Sequence, residues 1–165
     1  MKIQNADRFL RKLERMPKVA KAEIQTALKA SAEGIAGTAR RMAPKKSGAL
    51  ARSIGTTIGK YVTDNANVRG VQATAGGHDL SVTIHAGDEI AWYAALVEYG
   101  TAPHYIVAKR ARALGVGGRL GKRVHHPGAA PQPFFWPAWR LGKKPAKRLI
   151  AAAVRKAAKK VAAGS

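Results

Sequence analysis

Residues 99–165 carry fifteen Lys and Arg side chains and not one Asp or Glu. This segment cannot neutralise itself, so its charge must be answered from outside it. Residues 1–98 hold the other fifteen basic residues and all nine acids, and the whole chain has a net charge of +21. An asymmetry of this kind points to a polyanionic partner: DNA, RNA, an acidic protein surface or a membrane. The plainer alternative is a heavily charged, solvated surface.

The 165 residues amount to one ordinary domain, 1–165, long enough to bury a core without staples. There is no Cys, which excludes disulfides, thiolate metal sites and Cys nucleophiles and fits assembly in a reducing cytoplasm. No apolar run approaches the ~20 residues that span a bilayer. The start, Met1-Lys2-Ile3-Gln4-Asn5, lacks an apolar signal core. The expectation is a protein made and used without export, with no membrane partner.

Helical periodicity marks both ends. Asn5 as N-cap and Asp7 in the first turn predict a short helix over 6–15, with Phe9, Leu10 and Leu13 as its apolar stripe. Pro17 restarts the chain. Ile24, Leu28, Ser31, Ile35, Ala39 and Met42 recur at three- and four-residue steps and predict a long helix over 18–42, ended by Ala43-Pro44. Lys29, Glu33 and Arg40 fall on its other face. Gly34 and Gly37 each weaken this helix by roughly 1 kcal/mol relative to Ala, and read as a site of close packing or a kink.

The last element, 137–163, sets Ala146, Ile150, Ala153, Val154, Ala157 and Val161 on one face. Lys144, Lys147, Arg148, Arg155 and Lys159 fall on the opposite one, which makes a basic amphipathic helix. Pro145 is expected to kink or split it. The like pairs Lys143/Lys147, Lys144/Arg148, Arg155/Lys159 and Lys156/Lys160 cost roughly 0.2–0.5 kcal/mol each. Packing of the apolar face, or an external anion, must supply the difference.

Between the helices the pattern turns β-like. Residues 54–62 alternate loosely, 71–75 form a short run, and 80–84 alternate cleanly as a strand with one buried face. Turn chemistry falls at Ser47-Gly48, at Asp64-Asn65-Ala66-Asn67 and at Gly76-Gly77-His78-Asp79. A short helix is predicted over 90–99, with Ala91, Ala94, Ala95 and Val97 inward and Trp92 and Tyr93 as amphipathic anchors. Gly100 ends it with a positive φ. Tyr105-Ile106-Val107 reads as one more strand. Residues 108–126 read as a basic, Gly-rich loop, and 127–133 continue irregular. The order gives an α+β domain: a long N-terminal helix and a basic C-terminal helix packed on a small, mostly antiparallel sheet.

The residues offer little to catalysis. His78, His85, His104, His125 and His126 lack metal-ligand spacing, and His125 and His126 would diverge on a strand. Asp88-Glu89 is the one close carboxylate pair, and capping or dipole stabilisation explains it more simply than acid–base work. GxGxxG, GxxxxGK[ST] and GxSxG are all missing. No catalytic residue, metal or cofactor is assigned.

Three segments occur in a telling order. The first is Ala43-Pro44-Lys45-Lys46-Ser47-Gly48-Ala49-Leu50-Ala51-Arg52-Ser53-Ile54. The second is Trp92-Tyr93-Ala94-Ala95-Leu96-Val97-Glu98-Tyr99-Gly100-Thr101. The third is His126-Pro127-Gly128 followed by Gln132-Pro133-Phe134-Phe135-Trp136-Pro137-Ala138. Together they resemble the neck, or tail-completion, proteins of long-tailed double-stranded DNA phages, a family named after a Hong Kong 97 member and similar in role to a lambda tail-completion protein. The resemblance spans about residues 18–160. Trp136 and Trp139 make the third segment more aromatic than the shared pattern. The basic stretch 109–123 and the very basic C-terminal helix go beyond it.

The resemblance implies a virion subunit without catalytic activity or cofactor, assembled in the host cytoplasm. It implies a homo-oligomeric ring, a hexamer, between head-completion (stopper) and tail-terminator proteins, leaving a channel for DNA. Candidate subunit-interface residues are Glu98, Tyr99, Gly100, Phe134, Phe135, Trp136 and Trp139. For Glu98, both a pair with an Arg of its own or a neighbouring subunit and a solvated carboxylate stay open. For the aromatics, core packing is the plain reading, and any exposed remainder suits an interface.

Candidate contacts to DNA or an acidic partner form two groups. One is Lys109, Arg110, Arg112, Arg119, Lys122 and Arg123, and the other is Lys144, Lys147, Arg148, Arg155 and Lys159. Contact with phosphates would be sequence-independent and salt-sensitive. The readings set against the neck subunit are a stand-alone nucleic-acid-binding protein, which lacks a recognition helix here, and an enzyme such as a nuclease, which lacks a carboxylate cluster.

Overall fold

The computed structural model describes residues 18–62, 74–75, 78–108 and 121–162. The helix expected over 6–15 and the turn at 64–67 lie outside the described residues. Within them the order is α1 (Lys18–Met42), α2 (Ala49–Arg52), β1 (Gly55–Ile58), β2 (Tyr61–Val62), β3 (Thr74–Ala75), β4 (Val82–His85), α3 (Ala94–Tyr99), β5 (His104–Val107), β6 (Arg123–His126) and α4 (Phe135–Ala162).

Helices α1 and α4 form the frame, packed antiparallel along their length. Ala20 and Ile24, early in α1, are buried with Ala157, late in α4. Ala36, Ala39 and Ala43, at the other end, are buried with Phe134 and Ala138. Small residues at the seam let the backbones approach closely. Gly142 shows how closely: a Cβ built on it would lie 2.3 Å from Ile35 Cγ1. The close approach expected at Gly34 and Gly37 is therefore made by Gly142 instead. A Cβ on Gly34 would meet nothing within 4 Å, and one on Gly37 would meet only the Arg41 guanidinium, at 3.7 Å.

The main core is completed by Leu50, Ile54, Ala91 and Ala94, with Ile54 and Phe134 the largest fully buried side chains. Met42, expected on the buried stripe, is exposed. Residues 45–54 form more than a turn: Gly48 takes φ 74° and leads into α2, which drives Leu50 into the core. Ion-paired Glu33 and Arg40 tie α1 to the strands. Arg40 Nε donates to the Ile54 carbonyl at 2.9 Å, and Thr56 Oγ1 donates to Glu33 Oε2 at 3.2 Å.

Among the described residues the strands pair as antiparallel two-stranded ladders. Strand β1 runs against β4, from Gly55↔His85 to Ile58↔Val82, and β2 runs against β3 at Tyr61↔Ala75 and Val62↔Thr74. The expected strand at 80–84 begins two residues later, because Asp79 and Leu80 complete a turn in which Ser81 N–H donates to the His78 carbonyl at 2.9 Å. Helix α1 covers β1 and β4.

The third ladder is the largest departure from expectation. Residues 123–126, read as the end of a loop, form β6 and pair with β5 from His104↔His126 to Val107↔Arg123. The Thr101↔Ala129 bridge extends this ribbon toward the body. Strand β6 alternates exposed and half-buried, but Val124 is its one apolar residue, too little for a period of two to show in the sequence. Helix α4 also corrects its expectation: it starts at Phe135, and it runs unbroken through Pro145.

Candidate functional site

The three sequence segments singled out above converge at one end of the α1–α4 pair. Leu50 and Ile54 from the first, Ala94 from the second, and Phe134 and Ala138 from the third share one core. The second and third are also stitched through their backbones. Gln132 N–H donates to the Val97 carbonyl at 2.8 Å, and Thr101 and Ala129 exchange hydrogen bonds of 2.9 and 3.1 Å. Gly100, at φ 72°, has no room for a side chain, since a Cβ would lie 2.6 Å from the Ala129 oxygen.

Glu98 holds this junction together. Its carboxylate is buried and sits at the N-terminus of α4. Oε2 accepts the backbone N–H groups of Phe134 at 2.8 Å and Phe135 at 2.9 Å, and Oε1 accepts that of Trp136 at 3.1 Å. A helix start leaves N–H groups unpaired and carries partial positive charge, so an anion there is doubly favoured. Glu98 is not a solvated carboxylate, and among the described residues it pairs with no Arg of its own subunit; it is an internal cap supplied from α3. Glu98 and Phe134, both candidates for a subunit interface, are thus turned inward.

The remaining candidates are arranged differently. Tyr99, Trp136 and Trp139 are exposed, and Phe135 is half-buried. Trp136 Nε1 donates to the Tyr99 hydroxyl at 2.6 Å, which fixes the two rings side by side at the surface. Trp92, in the turn before α3, and Leu96, within it, are also exposed, and Leu96 lies one helical turn before Tyr99. Asp88 does not cap α3, whose N-cap is Tyr93 without a side-chain bond; its Oδ1 accepts the N–H groups of Ile90 at 2.9 Å and Ala91 at 2.6 Å in the turn ahead of the helix.

The cations fall into three environments. Lys109, Arg110, Arg112 and Arg119 lie outside the described residues. Lys122 and Arg123 are exposed at the far end of the β5–β6 ribbon, where the Arg123 guanidinium lies 3.8 Å over the Tyr105 ring. His125 and His126 diverge as strand neighbours do, one against Tyr105 and the other stacked on His104. On α4, Lys144, Lys147, Arg148, Arg155 and Lys159 are all exposed, and Arg140, which the sequence reading missed, extends the same face by a turn. Among the described residues none of these six is ion-paired.

Lys156 and Lys160 differ because they face α1. Both pair with Glu23, Lys156 at 3.7 Å. The hydrogen bond from Lys160 holds the Glu23 carboxyl below its ordinary range, helped by the charge of Lys156. Among the described residues no group of three or more His, Asp or Glu side chains could hold a metal ion, and no helix is long and apolar enough to cross a membrane.

The model of a family described as "Bacteriophage HK97-gp10, putative tail-component" matches residues 7–100. No curated protein and no solved structure matches.

Proposed function

The chain belongs to the HK97-gp10-like family of bacteriophage tail components, and from that membership we propose that it is a non-catalytic structural subunit of the virion neck. In this reading copies of the chain close into a ring, a hexamer, seated between the head-completion (stopper) and tail-terminator proteins, with an open channel for DNA. The observation that carries the reading is the Tyr99–Trp136 pair. Two large aromatic side chains are locked together by a 2.6 Å hydrogen bond, yet they stay 66% and 46% exposed. Rigid, exposed aromatics are what subunit interfaces use.

The β5–β6 ribbon supports the same reading. It exposes Tyr105, Ile106 and Val107, and a two-stranded ribbon is marginal in water without a surface to rest on. Neighbouring copies would supply that surface. Phe135, Tyr99, Trp136 and Trp139 are the lateral contacts, and the basic surfaces face DNA or the adjoining rings.

Deleting the coding sequence from a phage that encodes it tests the placement. The expected lysate contains filled heads and finished tails that are not joined. Fully joined, infectious particles from the deletion strain would contradict the reading.

A further inference from the structure

The outward face of α4 is a row of charge. Arg140, Lys144, Lys147, Arg148, Arg155 and Lys159 are exposed, without ion-pair partners among the described residues. At ~1.5 Å per residue the row is about 28 Å long, close to eight base pairs of duplex at ~3.4 Å each. We infer that this row is a sequence-independent binding site for the phosphate backbone of double-stranded DNA. The inference concerns a surface of the single subunit, so it does not require the ring.

Three observations choose this occupant. First, the row holds like charges one helical turn apart, Arg140 to Lys144 to Arg148 and Arg155 to Lys159. Each such pair opposes the helix unless an anion lies across it. Secondly, the centre of the apolar face of α4 is already packed, with Ala138, Gly142 and Ala157 on α1, and the aliphatic side chains left exposed, Leu141, Leu149 and Val161, do not share one stripe of the helix. A helix that binds a bilayer must free that face for the lipid. Thirdly, the row carries one large exposed apolar side chain, Leu141, and between Arg148 and Arg155 its outward positions are Ala151 and Ala152, with Leu149 off to one side. A protein partner would want aromatic or large apolar anchors there and few lysines. Phosphates ask only for charge, and with no aromatic interleaved the contact does not read bases.

The chain supplies its own control. Lys156 and Lys160 belong to the same helix but turn to Glu23, and Lys18, Lys29, Lys45, Lys46 and Lys60 are exposed elsewhere. Two variants of equal net charge separate a track from diffuse attraction. One is Lys144→Gln, Lys147→Gln, Arg148→Gln, Arg155→Gln and Lys159→Gln together. The other is Lys18→Gln, Lys29→Gln, Lys45→Gln, Lys46→Gln and Lys60→Gln together.

Binding of the full chain to a labelled duplex of about 20 base pairs is followed by anisotropy from about 50 to 200 mM salt. With a slope near −0.9 per phosphate contact, the first variant is expected to lose about four units of the log–log slope and about 100-fold or more in affinity at 100 mM salt. The second is expected to lose no more than about one unit. Equal losses would overturn the inference, as would an unchanged slope in the first variant. So would loss of binding to a polyglutamate probe with duplex binding intact, which would make the row a site for an acidic protein. Acylation footprinting of the unsubstituted chain gives an independent readout. Duplex is expected to protect Lys144, Lys147 and Lys159 but not Lys45 or Lys46, and uniform protection would contradict the assignment.

Discussion

Gly142 of α4 lies against Ile35 of α1 so closely that a Cβ on the glycine would fall 2.3 Å from Ile35 Cγ1 and 3.2 Å from its Cδ1. Ala is worth about 1 kcal/mol more than Gly in a helix, but overpacking costs about 1–3 kcal/mol. Gly142→Ala is therefore expected to lower the melting temperature. Gly34→Ala, where a Cβ meets nothing within 4 Å, is expected to raise it by up to about 1 kcal/mol of stability. Thermal melts of the two variants check the opposite signs.

The Glu98 cap gives a second test. Glu98→Ala strands three backbone N–H groups at the buried start of α4, and is expected to cost about 2–3 kcal/mol. At ~2–4 °C per kcal/mol for a chain of this size, the melting temperature falls by roughly 5–10 °C. Glu98→Gln keeps one accepting oxygen and loses less. A surface carboxylate would give almost no change in either variant, and circular dichroism melts separate the two cases.

Acid should loosen the α1–α4 pair. The Glu23 carboxyl lies below its ordinary value of 4.5, first through the Lys160 hydrogen bond and then the charge of Lys156; Glu33 lies below it first through Arg40. A depressed folded-state value means stability that is present above pH 4.5 and lost as the pH falls through the folded-state value. Melting temperatures from pH 7 to pH 3 are expected to drop below about pH 4.5, and to drop less in Glu23→Gln/Glu33→Gln. An identical acid profile in the double variant would show that these pairs carry none of the effect.

Trp136 tests the lateral contact. Its ring is exposed and its indole N–H serves Tyr99, so Trp136→Ala is expected to leave the subunit's own stability within about 1 kcal/mol. Sedimentation velocity at rising concentration is expected to show weaker self-association than for the unsubstituted chain. Phe134→Ala, by contrast, opens a cavity in the core and is expected to cost about 3–5 kcal/mol. If both variants behave alike, Trp136 is part of the core and not of an interface.

Much of the frame could be read from the residues because burial imposes a period. The stripe from Ile24 to Ala39 has a partner helix to face, and the bounds of α1 follow from it. The positive φ of Gly100 and the inward Ala91 and Ala94 were legible for the same reason. Strand β6 was not, because Val124 is its one apolar residue and His126 completes its half-buried face. Pro145 does not split α4, because a proline removes one backbone hydrogen bond without dictating what surrounding packing will tolerate.

Glu98 was the deeper miss. Its partners lie 36 to 38 residues downstream, so no local pattern announces them. The only signal was that the second and third segments occur together in one chain. The outward charges of α4 were legible; Glu23 as the answer to Lys156 and Lys160 required the helix pairing itself.

The most direct test of the neck assignment is a reconstruction of the head–tail junction of the particle that carries this chain. The account predicts a closed ring of copies at that junction, with α1 and α4 recognisable as a long antiparallel pair and Tyr99 and Trp136 against the next copy. A map in which the junction is complete and this chain occupies no part of it would contradict the account.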